Sequence, residues 1–380
     1  MITFEPMLGE VKALVDCGRL PGVVLRVCRD GEIEVEGVFG LQQPEAGTPM
    51  RADSIFRIYS MTKPITALAA MMLVEAGDIA LDDPITRVFP EFAHLEVGIE
   101  VRNAHGAATL VRQPAARVAS IRDLFRHTAG FTYGVFNDSL VKAQYRALDI
   151  DSWSISSDEL IGRLAMAPLA FEPGTTWEYS RATDVLGVLI ERLTQQSLGE
   201  FFDERIFAPL GMVDTAFFVP EAKLSRVAEP FQKDPDSGEP IRLRGTELRG
   251  YCSGGGGLFS TLSDYQRFID LLRGRGALNG VRLVSSATIS TMTRDHLGTI
   301  ERGPNYLPGA DSGFGLGFAV RQKDGPLGHR GDYYWSGVAG TLFWIDPSMD
   351  LNAIWLMQAP NQRLEMRDLF RRLVTEAYSG

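Results

Sequence analysis

Ser60 and Lys63 close the short run Ser60-Met61-Thr62-Lys63. On a helix, a spacing of three residues puts both side chains on one face. A serine placed beside an amine becomes a nucleophile when the amine takes its proton, and burial favours the uncharged amine that can do so. A helix N-terminus also favours the negative charge that develops during acyl transfer. Ser-x-x-Lys by itself equally describes a surface capping serine with a solvated lysine. The residues that follow weigh against that reading. Met61, Ile65, Leu68, Ala69, Met71, Met72 and Val74 make the segment 60–76 apolar almost all round. Such a helix is buried in a core, where a solvated lysine has no wet face to occupy.

Two further stretches carry possible chemistry. Trp177-Glu178-Tyr179-Ser180 follows the turn signal Pro173-Gly174. A tyrosine that reaches Lys63 can shuttle a proton between phenol and phenolate; alone, Tyr179 also reads as a packing aromatic with its hydroxyl at the rim. Trp335-Ser336-Gly337 runs into Val338-Ala339-Gly340. Small residues at a strand edge let a substrate approach the backbone, and an N–H there can supply half of an oxyanion hole. The plain alternative is a glycine-rich hairpin end.

Other polar residues read as structural. Asp184 is expected to cap the 183–196 helix, with pairing to Arg181 as the alternative. His127 and His329 are expected at structural or surface positions, although His329 lies close enough to Trp335 in sequence to reach a pocket mouth. Gly254 to Gly257 read as a tight turn, because no Gly-Lys-Ser/Thr follows as in a phosphate loop. There is no Gly-x-Ser-x-Gly elbow, which speaks against an α/β-hydrolase. No cysteine pair has zinc spacing and no His-Glu-x-x-His occurs, so neither a metal nor a cofactor is expected.

The elements that must hold these residues follow from periodicity. An amphipathic helix is predicted over 4–17. A hairpin follows: Val23–Val27 and Glu32–Glu36 flank Asp30-Gly31, which suits a type I′ turn. Gly77 is placed to end the 60–76 helix, and Pro64 sits in its tolerant first turn. Ser120 is predicted to cap a helix through His127, and Ser156 with Glu159 forms a capping box. Helices are predicted over 183–196, 198–207, 263–273 and 362–377, and strands over 316–322, 338–346 and 351–357. The stretches 97–118 and 217–248 read as long surface loops. Strands therefore cluster at both ends of the chain and helices in its middle. That predicts an α+β fold: one antiparallel sheet built from both termini and flanked by helices, with an all-helical insertion. The expected division is residues 1–77 with 251–380 as a discontinuous sheet-and-helix domain, and 78–250 as a mostly helical insertion.

Composition bounds the function. The chain has 380 residues, 45% hydrophobic and 23% charged, with a formal net charge of −10 and no dense basic run. Binding to nucleic-acid backbones needs basic patches, so it is not expected. No stretch reaches the length of a membrane span, no secretory signal is apparent, and the three cysteines, Cys17, Cys28 and Cys252, are widely spaced. A cytoplasmic protein is expected, with no stated oligomeric order.

Taken in order, Ser-x-x-Lys, Tyr-Ser and Trp-x-Gly resemble the serine β-lactamase-like superfamily. The pattern is most similar to family VIII carboxylesterases, which share the class C β-lactamase fold. Supporting stretches are Phe56–Lys63, Ile121–Gly130, Pro173–Ser180, Gly254–Thr261 and Trp335–Pro347, and the resemblance spans about residues 8–378. It implies Ser60 as nucleophile, Lys63 as general base, and Tyr179 as an assisting base that then protonates the leaving group. It also implies backbone N–H groups of Ser60 and Val338 as the oxyanion hole, and Trp335 as a wall of the acyl or alcohol pocket. Two departures bear on specificity. Tyr179-Ser180-Arg181 stands where β-lactamases carry Tyr-x-Asn, and Trp335-Ser336-Gly337 stands where they carry Lys-Thr-Gly. Both lean toward neutral esters, with Ser336, Gly337 and Arg181 as further substrate-binding candidates. The implied function is a serine carboxylesterase acting on small-molecule esters of short or medium acyl length. The alternatives are a β-lactamase, D-amino-acid peptidase or acyltransferase on the same scaffold, and a non-catalytic binding protein.

Overall fold

A computed structural model of the chain describes residues 2–102, 104–248 and 250–379. Its centre is an eight-stranded antiparallel sheet. The strand order is Ser312–Phe314, Ala319–Arg321, Tyr333–Ser336, Leu342–Asp346, Leu351–Met357, Gly22–Arg29, Glu32–Gln43 and Thr48–Pro49. The strand nearest the C-terminus thus pairs with the first strand, Leu25 opposite Trp355 and Val24 opposite Leu356. The hairpin turn is as expected: Asp30 and Gly31 have φ of 52° and 87°, the positive pair that a type I′ turn requires.

Alternation along the strands gives the sheet two apolar faces. Val23, Leu25, Val27, Trp344 and Trp355 pack against the terminal helices Glu5–Asp16 and Arg363–Ser379, through Met7, Val11, Met366 and Phe370. Val24, Phe343, Ile345, Ile354 and Leu356 point the other way, into the main core. A register slip by one residue would exchange these sets, so both faces specify the pairing. The main core is built around the helix Thr62–Ala76, in which every residue from Thr62 to Leu73 is buried. Each fully buried leucine or isoleucine there contributes about 1.5–3 kcal/mol. Gly77, at φ 86°, ends this helix as expected.

Residues 78–250 supply helices that include Leu140–Ala147, Ser157–Met166 and Ala182–Thr194. The capping box of Ser156 and Glu159 forms. Ser120 also caps a helix, but it ends at Phe125 because His127 takes a left-handed φ of 56°. The expected loop over 97–118 is a hairpin instead, Glu96–Arg102 paired with Ala108–Pro114. Val97, Ile99 and Val101 alternate, but Ile99, Val101 and Val111 remain exposed, so the pattern marks no core face. Among the described residues, 78–250 combine short helices with this hairpin, the short strand Thr176–Trp177 and irregular chain from Val227 onward. Among the described residues no helix is long and apolar enough to cross a membrane.

Candidate active site

The chain reaches Ser60 through a short strand, Phe56–Arg57, paired with Phe259 and Ser260. Tyr59 then adopts φ 42°, in the left-handed region that a bulky residue enters at a cost of order 1–3 kcal/mol. Its hydroxyl accepts the Arg244 N–H at 3.1 Å, which helps hold that turn. Tyr59–Met61 form one 3₁₀ turn that runs directly into the Thr62–Ala76 helix, with Ser60 at its apex.

Lys63 is 1% exposed. Its Nζ lies 3.3 Å from Ser60 Oγ, donates to the Gly255 carbonyl at 2.6 Å, and lies 3.2 Å from the Tyr133 hydroxyl. Tyr179 donates its hydroxyl to Ser60 Oγ at 2.7 Å. Ser60 is thus held between an amine and a phenol. The glycine turn expected at 254–257 forms, closed by the Gly257 N–H on the Ser253 carbonyl at 2.8 Å. A Cβ on Gly255 would lie 2.5 Å from Asp184 Oδ2, so only glycine brings this carbonyl to Lys63.

Asp184 does not cap its helix. It accepts hydrogen bonds from Tyr251, Ser253 and the Gly255 N–H, and pairs with Arg181 at 3.3 Å. Arg181 lines the cleft floor, but its guanidinium is also tied to Asp151 at 3.0 Å and to the Tyr251 hydroxyl. The cation is committed to this buried network rather than free to swing toward a substrate. It also lies 5.0 Å from the centre of the Tyr133 ring.

Tyr133 was not legible as a site residue. It stands in a loop without periodicity, and its place depends on a distant pairing. Thr132 donates to Glu178 at 2.7 Å, and Glu178 forms a buried ion pair with Lys142 at 2.9 Å. The only sequence signal was its setting in an aromatic run, Phe131 to Phe136. Burial, with the nearby Asp184 carboxylate, raises the Tyr133 pKa well above the usual phenol value, so it stays protonated.

The strand Tyr333–Ser336 brings Trp335 to the opposite wall, its ring 5.7 Å from that of Tyr179. A Cβ on Gly337 would lie 2.3 Å from the Ile58 carbonyl. Glycine therefore lets the strand end pass against the backbone that leads into Ser60. Beyond it, Val338 and Ser336 line the same cleft as Ser60, a space of about 490 Å³ completed by Val135, Phe136 and Leu364. A larger cavity of about 750 Å³, near Phe207, Met212 and Phe217, contains none of these reacting groups. His329 lies apart from the cleft and pairs with Asp346 at 2.6 Å.

His127 is a buried support. Its Nδ1 lies 3.1 Å from Ser180 Oγ, and its ring packs on Trp177, Tyr179 and Phe314. Burial, reinforced by Lys63, holds its pKa well below the ordinary 6.5. The unfolded chain therefore binds a proton below about pH 6.5 that the folded chain refuses, and stability falls as pH falls. One such group contributes a slope of about 1.4 kcal/mol per pH unit within that window. Replacing His127 with asparagine, which tolerates left-handed φ, is expected to flatten denaturant-derived stability between pH 6.5 and 5 relative to the parent. Parallel pH slopes in the two proteins would contradict this assignment.

A half-buried serine held by a buried lysine and a buried tyrosine over an open cleft on this sheet-and-helix scaffold defines a class. The Beta-lactamase family model matches residues 9–376, and the chain belongs to that family. It is 34% identical over 368 residues to Esterase EstB of Burkholderia gladioli, covering 89% of this chain and 86% of that protein. It is 29% identical over 402 residues to Lovastatin esterase of Penicillium rubens, covering 97% and 98%. Among solved structures, EstCE1, a hydrolase with promiscuous acyltransferase activity, matches with a TM-score of 0.80 and 27% identity, covering 99% and 98%. The protein is a serine hydrolase of the esterase type with an α+β, class C β-lactamase-like fold.

Proposed function

We propose that this enzyme is a carboxylesterase of the family VIII kind, hydrolysing short or medium acyl esters through an acyl-enzyme on Ser60. The observation that carries the reading is Ser60 Oγ held at 2.7 Å from the Tyr179 hydroxyl and 3.3 Å from Lys63 Nζ at the base of the cleft. Oγ attacks the ester carbonyl as its proton passes to Lys63, and backbone N–H groups of Ser60 and Val338 receive the oxyanion. The C–O bond to the alcohol then breaks, and Tyr179 delivers the proton to the departing oxygen. Water repeats these steps in reverse to free the acid. The reacting groups lie between residues 1–77 with 251–380, which bring Ser60 and Trp335, and the 78–250 insertion, which brings Tyr133 and Tyr179.

A second reading, acyl transfer to an alcohol, has specific support. EstCE1 carries promiscuous acyltransferase activity, and the cleft mouth here exposes Val135, Leu307, Val338 and Leu364. That apolar rim suits an acceptor alcohol. Adding a primary alcohol to an ester assay and measuring the yield of the new ester separates the two readings.

Selectivity against β-lactams follows from the floor of the site. Arg181 replaces an amide that would grip the lactam side chain, and its ion pairs keep it from substituting. Trp335 replaces a cation, although Arg363 at the mouth can still meet a carboxylate. One lost charge-assisted bond is worth about 1.5–3 kcal/mol, or roughly one to two powers of ten. The expected result is a kcat/KM for an activated butyrate ester at least about tenfold above that for a chromogenic cephalosporin. Equal values on one preparation would refute the selectivity argument.

A further inference from the structure

One peptide joins the end of the central sheet to the C-terminal helix. Arg367, half-buried on the helix Arg363–Ser379, donates through Nη2 to the Gly337 carbonyl. The Gly340 N–H donates to the same oxygen at 3.1 Å, while the Gly337 N–H goes to the Thr341 carbonyl at 2.9 Å. The Gly337 carbonyl and the Val338 N–H belong to one planar trans unit, so they point in opposite directions and holding one aims the other. A charge-assisted bond to the carbonyl also polarises the amide and strengthens its N–H as a donor.

Arg367 is costly for a residue that only packs. Among the described residues its guanidinium has no carboxylate within ion-pair distance, and its Nε is buried without a partner. Burial, then the neighbouring Arg363 cation, pulls its pKa down to about 10. A cation in the cleft wall with no ion-pair partner, its charge offset only in part by the nearby Tyr179 and Asp368, destabilises the resting protein and lowers the energy of an anion that forms beside it.

We propose that Arg367 is a positioning residue of the oxyanion hole, holding and polarising the Gly337–Val338 peptide so that the Val338 N–H meets the tetrahedral oxyanion. This rests on the reading of Ser60 and Val338 given above. The rival role is direct recognition of an anionic group on the substrate, since Arg367 also lines the cleft.

The test compares the wild type with Arg367→Met and Arg367→Lys, each corrected for active fraction by titration with an aryl phosphonate. Substrates are a neutral butyrate ester and the matching hemisuccinate. Removing an oxyanion donor outright costs about 10²–10³ in kcat, so misaiming one is expected to cost about 10- to 100-fold. Arg367→Met should show that loss in kcat on both esters with KM within about threefold, and should slow phosphonylation of Ser60 by the same factor. Arg367→Lys keeps the charge and serves if the methionine variant folds poorly; it should lose several-fold in kcat, again without a KM change. Unchanged kcat per titrated site, or a loss confined to the hemisuccinate and read in KM, would overturn the proposal. If phosphonate leaves Ser60 unlabelled in the wild type, the underlying reading of the site fails, and this proposal with it.

Discussion

Ser60→Ala is expected to lower kcat on an activated ester by about 10⁴-fold or more, because no acyl-enzyme can form without Oγ. The fold should survive. Ser60 is half-buried at the cleft, and its hydroxyl is held by Lys63 and Tyr179, whose own positions have other supports. Lys63 keeps the Gly255 carbonyl, and Tyr179 keeps its rings against Trp177, His127 and Trp335. Unfolding free energy should therefore change by no more than about 1 kcal/mol. Steady-state assays and a denaturant melt on the same sample check both halves. Activity within tenfold of the parent would remove Ser60 from the mechanism.

Lys63→Met is the second large effect. A positioned general base contributes about 10²–10⁴-fold, and Tyr179 alone then faces Ser60. The loss should appear in kcat, since Nζ points at the nucleophile and the Gly255 carbonyl. Stability separates this from simple misfolding. Methionine fills the channel of a side chain that is 1% exposed and removes a buried amine, while the Gly255 carbonyl loses its donor at a cost of about 1–3 kcal/mol. These effects oppose each other, so the melt should move little while kcat collapses. A variant that retains more than a tenth of the parent kcat would show that Lys63 is not the base.

Much of this site was written locally. That Ser60 and Lys63 lie side by side was legible from helical spacing, and the burial of Lys63 from the apolar Ile65, Leu68 and Met72 of the same helix, while their catalytic roles came from the family resemblance and not from the spacing. Turns and caps that depend on two or three residues, such as Asp30-Gly31 and Ser156 with Glu159, were legible for the same reason. What was not legible depends on residues far apart. Tyr133 reaches Lys63 through contacts set by distant residues: Thr132 is tied to Glu178, 46 positions away, and the Tyr133 ring packs against Tyr179 and Arg181. Asp184 was expected at a helix cap, yet its partners Tyr251, Ser253 and Gly255 lie more than 65 positions on. The Glu96–Arg102 hairpin escaped because an alternating strand is read from one wet and one dry face, and this one leaves Ile99 and Val101 exposed. His329 could reach a pocket mouth by sequence distance, but Asp346 holds it elsewhere.

The central claim is that catalysis passes through an acyl group on Ser60. The most direct measurement is to quench the enzyme in acid during turnover of a slowly deacylating activated ester and to map the acyl mass by peptide mass spectrometry. The account requires the added acyl mass on Ser60, approaching one group per chain, and none in Ser60→Ala. An acyl group on another residue, or steady turnover of the ester with Ser60 unmodified at every quench time, would contradict it.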